Sequence, residues 1–512
     1  MFNRNSRRQF LQVVGGGALL GLTDLQFASQ LPRLSADEIQ LKGGVVQLRP
    51  EIEPLVRFIE ETPREKLVDE TIARIQRGLS YQELLAALLL AGVRNVEPRP
   101  SVGFKFHAVL VVNSAHLASL ASGDHERWLP LIWAVDHFKS AQAQNIKERD
   151  GWRMPPVKES DVPAAHRARE AFVTAMDQWD VAQADAAVAG LVRSAGAQEV
   201  FELFCRFAPR DYRSIGHKAI FLANAWRTLE TIGWHHAEPV LRSLAYAVLA
   251  HEGENPMKAD SAADRAGRHN REAIAKIKPE WRDGRPDSVA TTELLATFRQ
   301  ASDLEAANAV IDTLNRGVGP VSVWDALLGG AGEVLIRHPG IIGIHAVTTA
   351  NALRYLAETS GEEATRRWIV LQCASFLTSF RDDSVRRGGT SHDVAIDRLE
   401  PLHFNSANDA VAEICADISR DPLAAARKVL TYVREVPDPR PLIDATRLLI
   451  FSKGNDVHDY KFSAAVLEDY YNVSPAWRDR YLASAVFNLT GSGAPDNSLI
   501  QRARTALNAK QS

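Results

Sequence analysis

The chain of 512 residues is 46% hydrophobic and 24% charged, an ordinary composition for a soluble globular protein with a large buried core. A formal net charge of −3 at pH 7 leaves no global positive field to attract nucleic acid. The three cysteines, Cys205, Cys373 and Cys415, are too few and too far apart for a disulfide framework or a CxxC zinc pair.

Residues 1–30 have the pattern of a twin-arginine signal peptide. Arg7 and Arg8 precede a short apolar run, residues 13–22, that is diluted by glycine. We therefore expect the twin-arginine translocase to export the folded chain to the periplasm or beyond. No clear cleavage site follows, so an uncleaved signal would leave the protein anchored. No later run approaches the ~20 apolar residues of a spanning helix, so we predict no stable transmembrane segment.

Helix signals dominate the rest of the chain. Ser80 and Glu83 form a predicted capping box before the apolar run 84–91, and Ser302 and Glu305 repeat the pattern. Residues 360–363 predict the start of a third helix by the same pattern. The only strand-like alternation is the short stretch 45–48. The sequence therefore predicts an all-α fold.

The stretch 252–287 is polar and rich in turn formers, which is typical of a surface excursion or a connection between lobes. No fixed repeat of ~34–47 residues is present, so a regular helical solenoid is not indicated. We predict two helical lobes, residues 31–290 and 291–512, that surround a shared central cavity and form one composite unit.

Histidines in apolar surroundings are the strongest chemical signal. They are His107, His217, His345 and His458. Lys461 follows His458 by three residues, so both lie on one helix face. Neutral imidazole is the commonest protein metal ligand, and each buried histidine otherwise needs its own polar partner. Spacing alone leaves a metal centre and separate core histidines equally open.

Two motifs resemble the questin oxidase-like family, whose fungal members act on anthraquinone-type polyketides. One is Gly-Ile-His-Ala-Val-Thr at residues 343–348, and the other is the H-x-x-K of His458 and Lys461. The similarity extends over most of the chain after about residue 70. It implies a mononuclear non-haem iron held by four histidines and by a lysine that carries a CO₂-derived carbamate.

Carried onto this chain, the resemblance implies a set of five metal ligands: His107, His217, His345, His458 and Lys461. The fungal proteins have a further histidine just before the first of these, where this chain has Phe104 and Lys105. His116 or His137 is therefore an alternative first ligand. His137 is also a candidate for an acid/base role in catalysis.

These observations predict a non-haem Fe(II) oxygenase that uses O₂ on an aromatic or ketone-type small molecule. Because the chain bears an export signal, the substrate need not be an anthraquinone. The alternative is a non-catalytic periplasmic helical scaffold that binds another protein. The enzyme requires the four histidines and Lys461 to meet at one centre, whereas the scaffold does not.

Overall fold

The computed structural model describes residues 44–98, 104–124, 126–388, 392–406, 409–454 and 456–508. These residues form 22 α-helices, and the single β-type pairing among them is an isolated bridge between Arg285 and Val318. The prediction of an all-α fold is confirmed. The stretch 45–48 forms no strand and makes one backbone hydrogen bond, from Val46 N to Met154 O at 2.8 Å. The predicted signal peptide lies outside the described residues.

The helices of the first half are α1 (Glu53–Glu61), α2 (Arg64–Gln76), α3 (Tyr81–Asn95), α4 (Phe104–Leu120), α5 (Leu129–Arg149), α6 (Ala165–Gln178), α7 (Val181–Ser194), α8 (Ala197–Cys205), α9 (His217–Ile232), α10 (Ala237–Val248) and α11 (Ala262–Ala273). Those of the second half are α12 (Ser288–Phe298), α13 (Asp303–Asn315), α14 (Pro320–Arg337), α15 (Ile341–Thr359), α16 (Glu363–Arg387), α17 (Ala410–Asp417), α18 (Pro422–Glu435), α19 (Arg440–Lys453), α20 (Val457–Asn472), α21 (Arg478–Ser484) and α22 (Ser498–Asn508).

Two of the three predicted helix starts have the expected caps. Complete capping boxes open α3 at Ser80 and α13 at Ser302. The third prediction is wrong in detail, because α16 begins at Glu363 without a side-chain cap. The Ser360 hydroxyl instead donates to the Glu202 carboxylate at 2.7 Å, so a tertiary contact removes it from the helix end.

The polar stretch 252–287 is not only a surface excursion. It contains α11, which packs on α16 through a buried face of small and polar residues. Asn270 on this face donates to Gln372 Oε1 at 2.8 Å and to Ser375 Oγ at 3.0 Å. Hydrogen bonds therefore hold a helix whose composition lacks an apolar stripe.

Four helices, α4, α9, α15 and α20, form a closed bundle at the centre. α4 packs on α9, α9 on α15, α15 on α20, and α20 on α4. The hydrogen bonds between neighbouring helices join residues at similar positions along each helix, which means that the four helices are parallel. Asn224 of α9 donates to the Leu110 carbonyl of α4 about halfway along both helices, and Thr231 Oγ1 and His116 Nε2 lie 3.3 Å apart further along. On the other side, Asn351 of α15 donates to Glu468 of α20 at 2.8 Å.

Surrounding helices bury the outer faces of this bundle. α5 packs on α4, α10 on α9, and both α14 and α16 pack on α15. α15 is buried continuously from Ile342 to Leu353, as expected of a helix in the interior of a large protein. The bundle draws two helices from each predicted lobe, whereas the boundary near residue 290 stays a prediction. Within the described part of the chain, no helix combines the length and apolar character needed to cross a membrane.

Candidate metal centre

Four histidines, one from each helix of the central bundle, converge. His107 Nε2 lies 2.6 Å from His217 Nε2, which lies 3.0 Å from His345 Nε2. The ligand nitrogens of these three side chains all lie within 4.8 Å of one another. The His458 ring centroid is 4.8 Å from that of His107 and 5.3 Å from that of His345. We call these four side chains the histidine cluster.

Hydrogen bonds from Nδ1 to backbone carbonyl groups orient two of the rings. His217 Nδ1 lies 2.7 Å from the Ser214 carbonyl oxygen, and His345 Nδ1 lies 2.6 Å from that of Ile341. A carbonyl oxygen only accepts, so Nδ1 carries the proton in both rings. Each Nε2 therefore directs a lone pair toward the centre. This is the usual arrangement of metal-binding histidines.

The short distances between Nε2 atoms need a cation or a proton to be stable, because two lone pairs that face each other repel. Imidazoles bind first-row metals at ~2.0–2.1 Å, which places two adjacent ligand nitrogens about 3 Å apart. The 3.0 Å between the Nε2 atoms of His217 and His345 agrees with that spacing, whereas the 2.6 Å between those of His107 and His217 is shorter. The geometry of the histidine cluster is therefore compatible with a single metal ion.

A strained turn places His217 at the first position of α9. Ser214, Ile215 and Gly216 all have left-handed backbone conformations, with φ of 59°, 45° and 79°. This conformation is rare for a β-branched residue such as Ile215 and costs of order 1–3 kcal/mol. It directs the Ser214 carbonyl at His217 Nδ1, so the strain accompanies a contact that orients a candidate ligand.

A buried ion pair closes this turn. Lys218 Nζ donates to Asp211 Oδ2 at 3.0 Å, and both side chains are almost fully buried. Asp211 Oδ1 also accepts from the Arg213 backbone N–H at 2.9 Å. One carboxylate thus joins the residues before and after the left-handed segment. Sequence reasoning missed this pair, although a lysine in an otherwise apolar helix start is a visible signal.

Asp456 is a second supporting residue that sequence reasoning missed. Its carboxylate caps α20 and accepts from the His458 ring, with Oδ1 2.5 Å from Nδ1. A carboxylate behind a histidine fixes the ring and raises the basicity of the other nitrogen. An aspartate three residues before Asp459 forms a capping box at the start of α20, and this local pattern was the available signal.

Burial favours the neutral form of three histidines of the cluster. Desolvation lowers the pKa of His107, His217 and His345 well below the usual value, and the neighbouring Lys461 charge lowers each further. Desolvation also lowers the pKa of Lys461 to about 7. Neutral imidazole is the metal-binding form, and a neutral amine is the form that reacts with CO₂.

Three buried polar atoms at the centre have no hydrogen-bond partner among the described residues. They are His107 Nδ1, His458 Nε2 and Lys461 Nζ. Leaving a buried donor or acceptor unsatisfied costs ~1–3 kcal/mol, and more for a charged group. A metal ion beside His458, and a modification or an anion at Lys461, would satisfy the last two of these atoms. The residues present therefore fit the group that the resemblance implies.

A narrow polar cavity continues from Lys461 along the inside of the bundle. Its wall includes three buried amide side chains, those of Asn113, Asn224 and Asn351. At its outer end Arg227 donates to Glu468 Oε2 at 2.7 Å, and the Glu468 side chain is 33% exposed. Polar groups line the cavity from Lys461 to the partly exposed Glu468, which suits water and protons.

The helix dipoles favour negative charge at this centre. Each histidine of the cluster lies within the first five residues of its helix, so four positive helix ends meet there. A metal cation or a charged Lys461 would add to that positive potential. The centre therefore favours an anionic ligand beside the imidazoles.

His116 and His137, the alternatives for the first ligand, lie outside the histidine cluster. His116 Nδ1 is 2.8 Å from Tyr81 Oη, and its Nε2 contacts Thr231 as described above. His137 stacks on Trp133 with ring centroids 5.0 Å apart, and burial lowers its pKa to about 4. Of the three candidates, the structure brings His107 to the centre.

No family model matches the chain, and no curated protein or solved structure matches it significantly. The resemblance to the questin oxidase-like family thus rests on the two motifs quoted from the sequence.

Proposed function

We propose that the chain is a mononuclear non-haem iron oxygenase that oxidises an aromatic or ketone-type small molecule with O₂. The observation that carries the proposal is the convergence of the histidine cluster from four helices distant in sequence. A scaffold protein has no need to gather four histidine side chains from distant helices at one point in its interior, where each otherwise needs its own polar partner.

The donor set favours iron over softer metal ions that prefer thiolate ligands. It contains four imidazoles and no thiolate, because all three cysteines lie elsewhere in the fold. Imidazoles with one anionic oxygen suit Fe(II). Bound there, Fe(II) supplies the electrons and the open coordination position for reaction with O₂. The chain itself supplies the ring orientation, a water-poor interior and neutral ligands.

Lys461 is proposed to supply the anionic oxygen. Its amine lone pair adds to the carbon of CO₂, an N–C bond forms, and the displaced proton leaves to water along the polar cavity. The product is a carbamate with one negative charge. Two features support this step: the pKa of Lys461, lowered to about 7, leaves a substantial fraction of the amine neutral near pH 7, and the helix ends favour the anion. The acid/base role of His137 stays a prediction.

We also propose export through the twin-arginine translocase, with the mature protein in the periplasm or outside the cell. The support is Arg7-Arg8 and the weak apolar run after it. Replacing both arginines with lysine should retain the full-length chain in the cytoplasm. Unchanged export of that variant through the twin-arginine translocase would overturn the assignment.

The test of the oxygenase uses the full chain loaded anaerobically with Fe(II). Nitric oxide, a stable substitute for O₂, should give the paramagnetic resonance signal of a high-spin iron–nitrosyl. Iron that binds but does not react with nitric oxide would contradict an oxygenase. With ¹³CO₂, a carbamate resonance should appear in the wild type and in the exposed-site control Lys158→Ala, and should be absent in Lys461→Ala. Incorporation of ¹⁸O₂ into a panel of aromatic ketones then defines the substrate class.

A further inference from the structure

A small apolar cavity lies behind the histidine cluster, between α15 and α16. Ala346, Ala350 and Leu353 form its wall on α15, and Cys373, Phe376 and Leu377 form its wall on α16. All of these side chains are buried. Ala346 follows His345 directly, so the cavity and the candidate metal centre lie on adjacent faces of one helix.

The cavity is suited to a small apolar gas rather than to water. Its volume of about 10 Å³ has room for one molecule of that size. The polar side-chain groups in its lining are the Thr349 hydroxyl and the weakly polar Cys373 thiol. A buried water needs two to four polar partners, so this lining favours an apolar occupant over water. Dioxygen needs no such partners.

A surface cleft of about 170 Å³ adjoins this cavity and shares the Leu377 side chain with it. Apolar residues of α12, α14 and α16, among them Phe298 and Val334, line much of the cleft, and Val385 at its edge is exposed. A methyl group on Gly330 of α14 would lie 2.8 Å from Leu377 Cδ2. The Leu377 side chain therefore packs directly on Gly330, and an added methyl group would displace or restrict it.

We propose that the cleft, Leu377 and the cavity form a route along which an apolar gas reaches the face of α15 behind His345. The identity of the gas as O₂ rests on the proposed oxygenase function. The route is separate from the polar cavity at Lys461, which lies on the other side of α15 and includes Thr348 and Asn351. Gas and water thus approach the centre along different faces of the same helix.

The first test is xenon pressurisation of crystals of the full-length, metal-free protein. Xenon should bind between Ala350 and Cys373 in the wild type. Ala350→Leu, which fills the cavity, should abolish this site. Absence of xenon from the wild-type cavity would overturn the proposal. Because no iron is involved, this result is independent of whether the oxygenase function is correct.

The second test measures the rate at which nitric oxide binds the Fe(II)-loaded protein. Gly330→Ala should slow binding several-fold, because its methyl group restricts Leu377. Gly329→Ala is the matched control on the same helix, where a methyl group would lie 3.9 Å from its nearest neighbour, Leu295 Cδ2. Equal binding rates in the two variants would contradict a route past Leu377, even if Ala350→Leu failed to fold.

Discussion

Gly216 and Thr349 approach so closely that a methyl group on Gly216 would lie 2.0 Å from the Thr349 hydroxyl oxygen. This contact joins α9 to α15 directly beside His217, the first residue of α9. The position of His217 relative to His345 therefore depends on a backbone approach that glycine alone permits.

Gly216→Ala should therefore destabilise the protein and displace His217. The left-handed φ costs an alanine ~1–2 kcal/mol, and the clash with Thr349 adds ~1–3 kcal/mol. Gly253→Ala is the matched control, because φ is +75° there and nothing lies within 4 Å of the added methyl group. Gly216→Ala should lose more than Gly253→Ala both in the free energy of unfolding, measured with denaturant, and in metal affinity. Equal losses in the two variants would remove the role assigned to the contact.

Asp456→Ser should weaken metal binding with little effect on the helix. Serine still caps α20, but its short side chain cannot accept from the His458 ring. Loss of such a supporting carboxylate typically costs ~10–100-fold in metal affinity. Asp421→Ser is the control, since Asp421 caps α18 through the Ala424 N–H. Fe(II) titration compares the two, and equal affinities would show that the contact with His458 is unimportant.

The stability of the protein should depend on pH through Asp469, which is fully buried at the far end of the bundle. Desolvation and the charge of Glu468 raise its pKa to about 7 from an ordinary value of 3.8. Between these values the folded state holds a proton that the unfolded chain has released. The contribution of the Asp469 carboxyl to the free energy of unfolding is therefore fully present below pH 3.8 and is lost as pH rises through about 7.

Asp469→Asn removes this titration. The free energy of unfolding of the wild type, relative to the variant, should fall as pH rises from about 4 to about 7 and stay constant above that. Urea unfolding at several pH values measures it. The free energy of unfolding of the exposed-site variant Asp393→Asn should follow that of the wild type at every pH. A wild-type curve that also parallels Asp469→Asn would show that this carboxyl titrates normally.

Arg94 should be essential for stability because it neutralises two buried carboxylates. It donates to Glu60 Oε1 at 2.6 Å and to Glu53 Oε2 at 2.8 Å, and its side chain is fully buried between α1 and α3. Arg94→Ala leaves both charges buried and should cost ~3–5 kcal/mol. Arg49→Ala removes an exposed pair with Glu51 and should cost under ~1 kcal/mol. Thermal unfolding distinguishes the two, and a similar small loss for both would contradict the account.

Local signals in the sequence predicted much of the fold. The caps at Ser80 and Ser302 depend on neighbours three residues away, so the pattern alone determines them. Ser360 has the same pattern, but Glu202, distant in sequence, binds its hydroxyl. α11 was missed because its buried face carries Asn270 and small residues rather than large apolar ones.

The candidate site was predictable only in part. Histidines in apolar segments indicated which side chains are buried, and the family resemblance indicated which ones meet. The parallel packing of four distant helices is a long-range property with no local signal. The left-handed Ile215 opposes its own conformational preference, so sequence reasoning could not anticipate it.

The most direct test of the central claim is metal analysis of the exported wild type and of three histidine variants, each also supplied anaerobically with Fe(II). The account predicts about one iron per chain in the wild type and in His116→Ala, whose histidine is engaged by Tyr81 and Thr231. It predicts loss of iron from His345→Ala and His458→Ala, and no haem absorption in any sample. A folded wild type that stays free of metal would contradict the account, and so would full iron retention in both His345→Ala and His458→Ala.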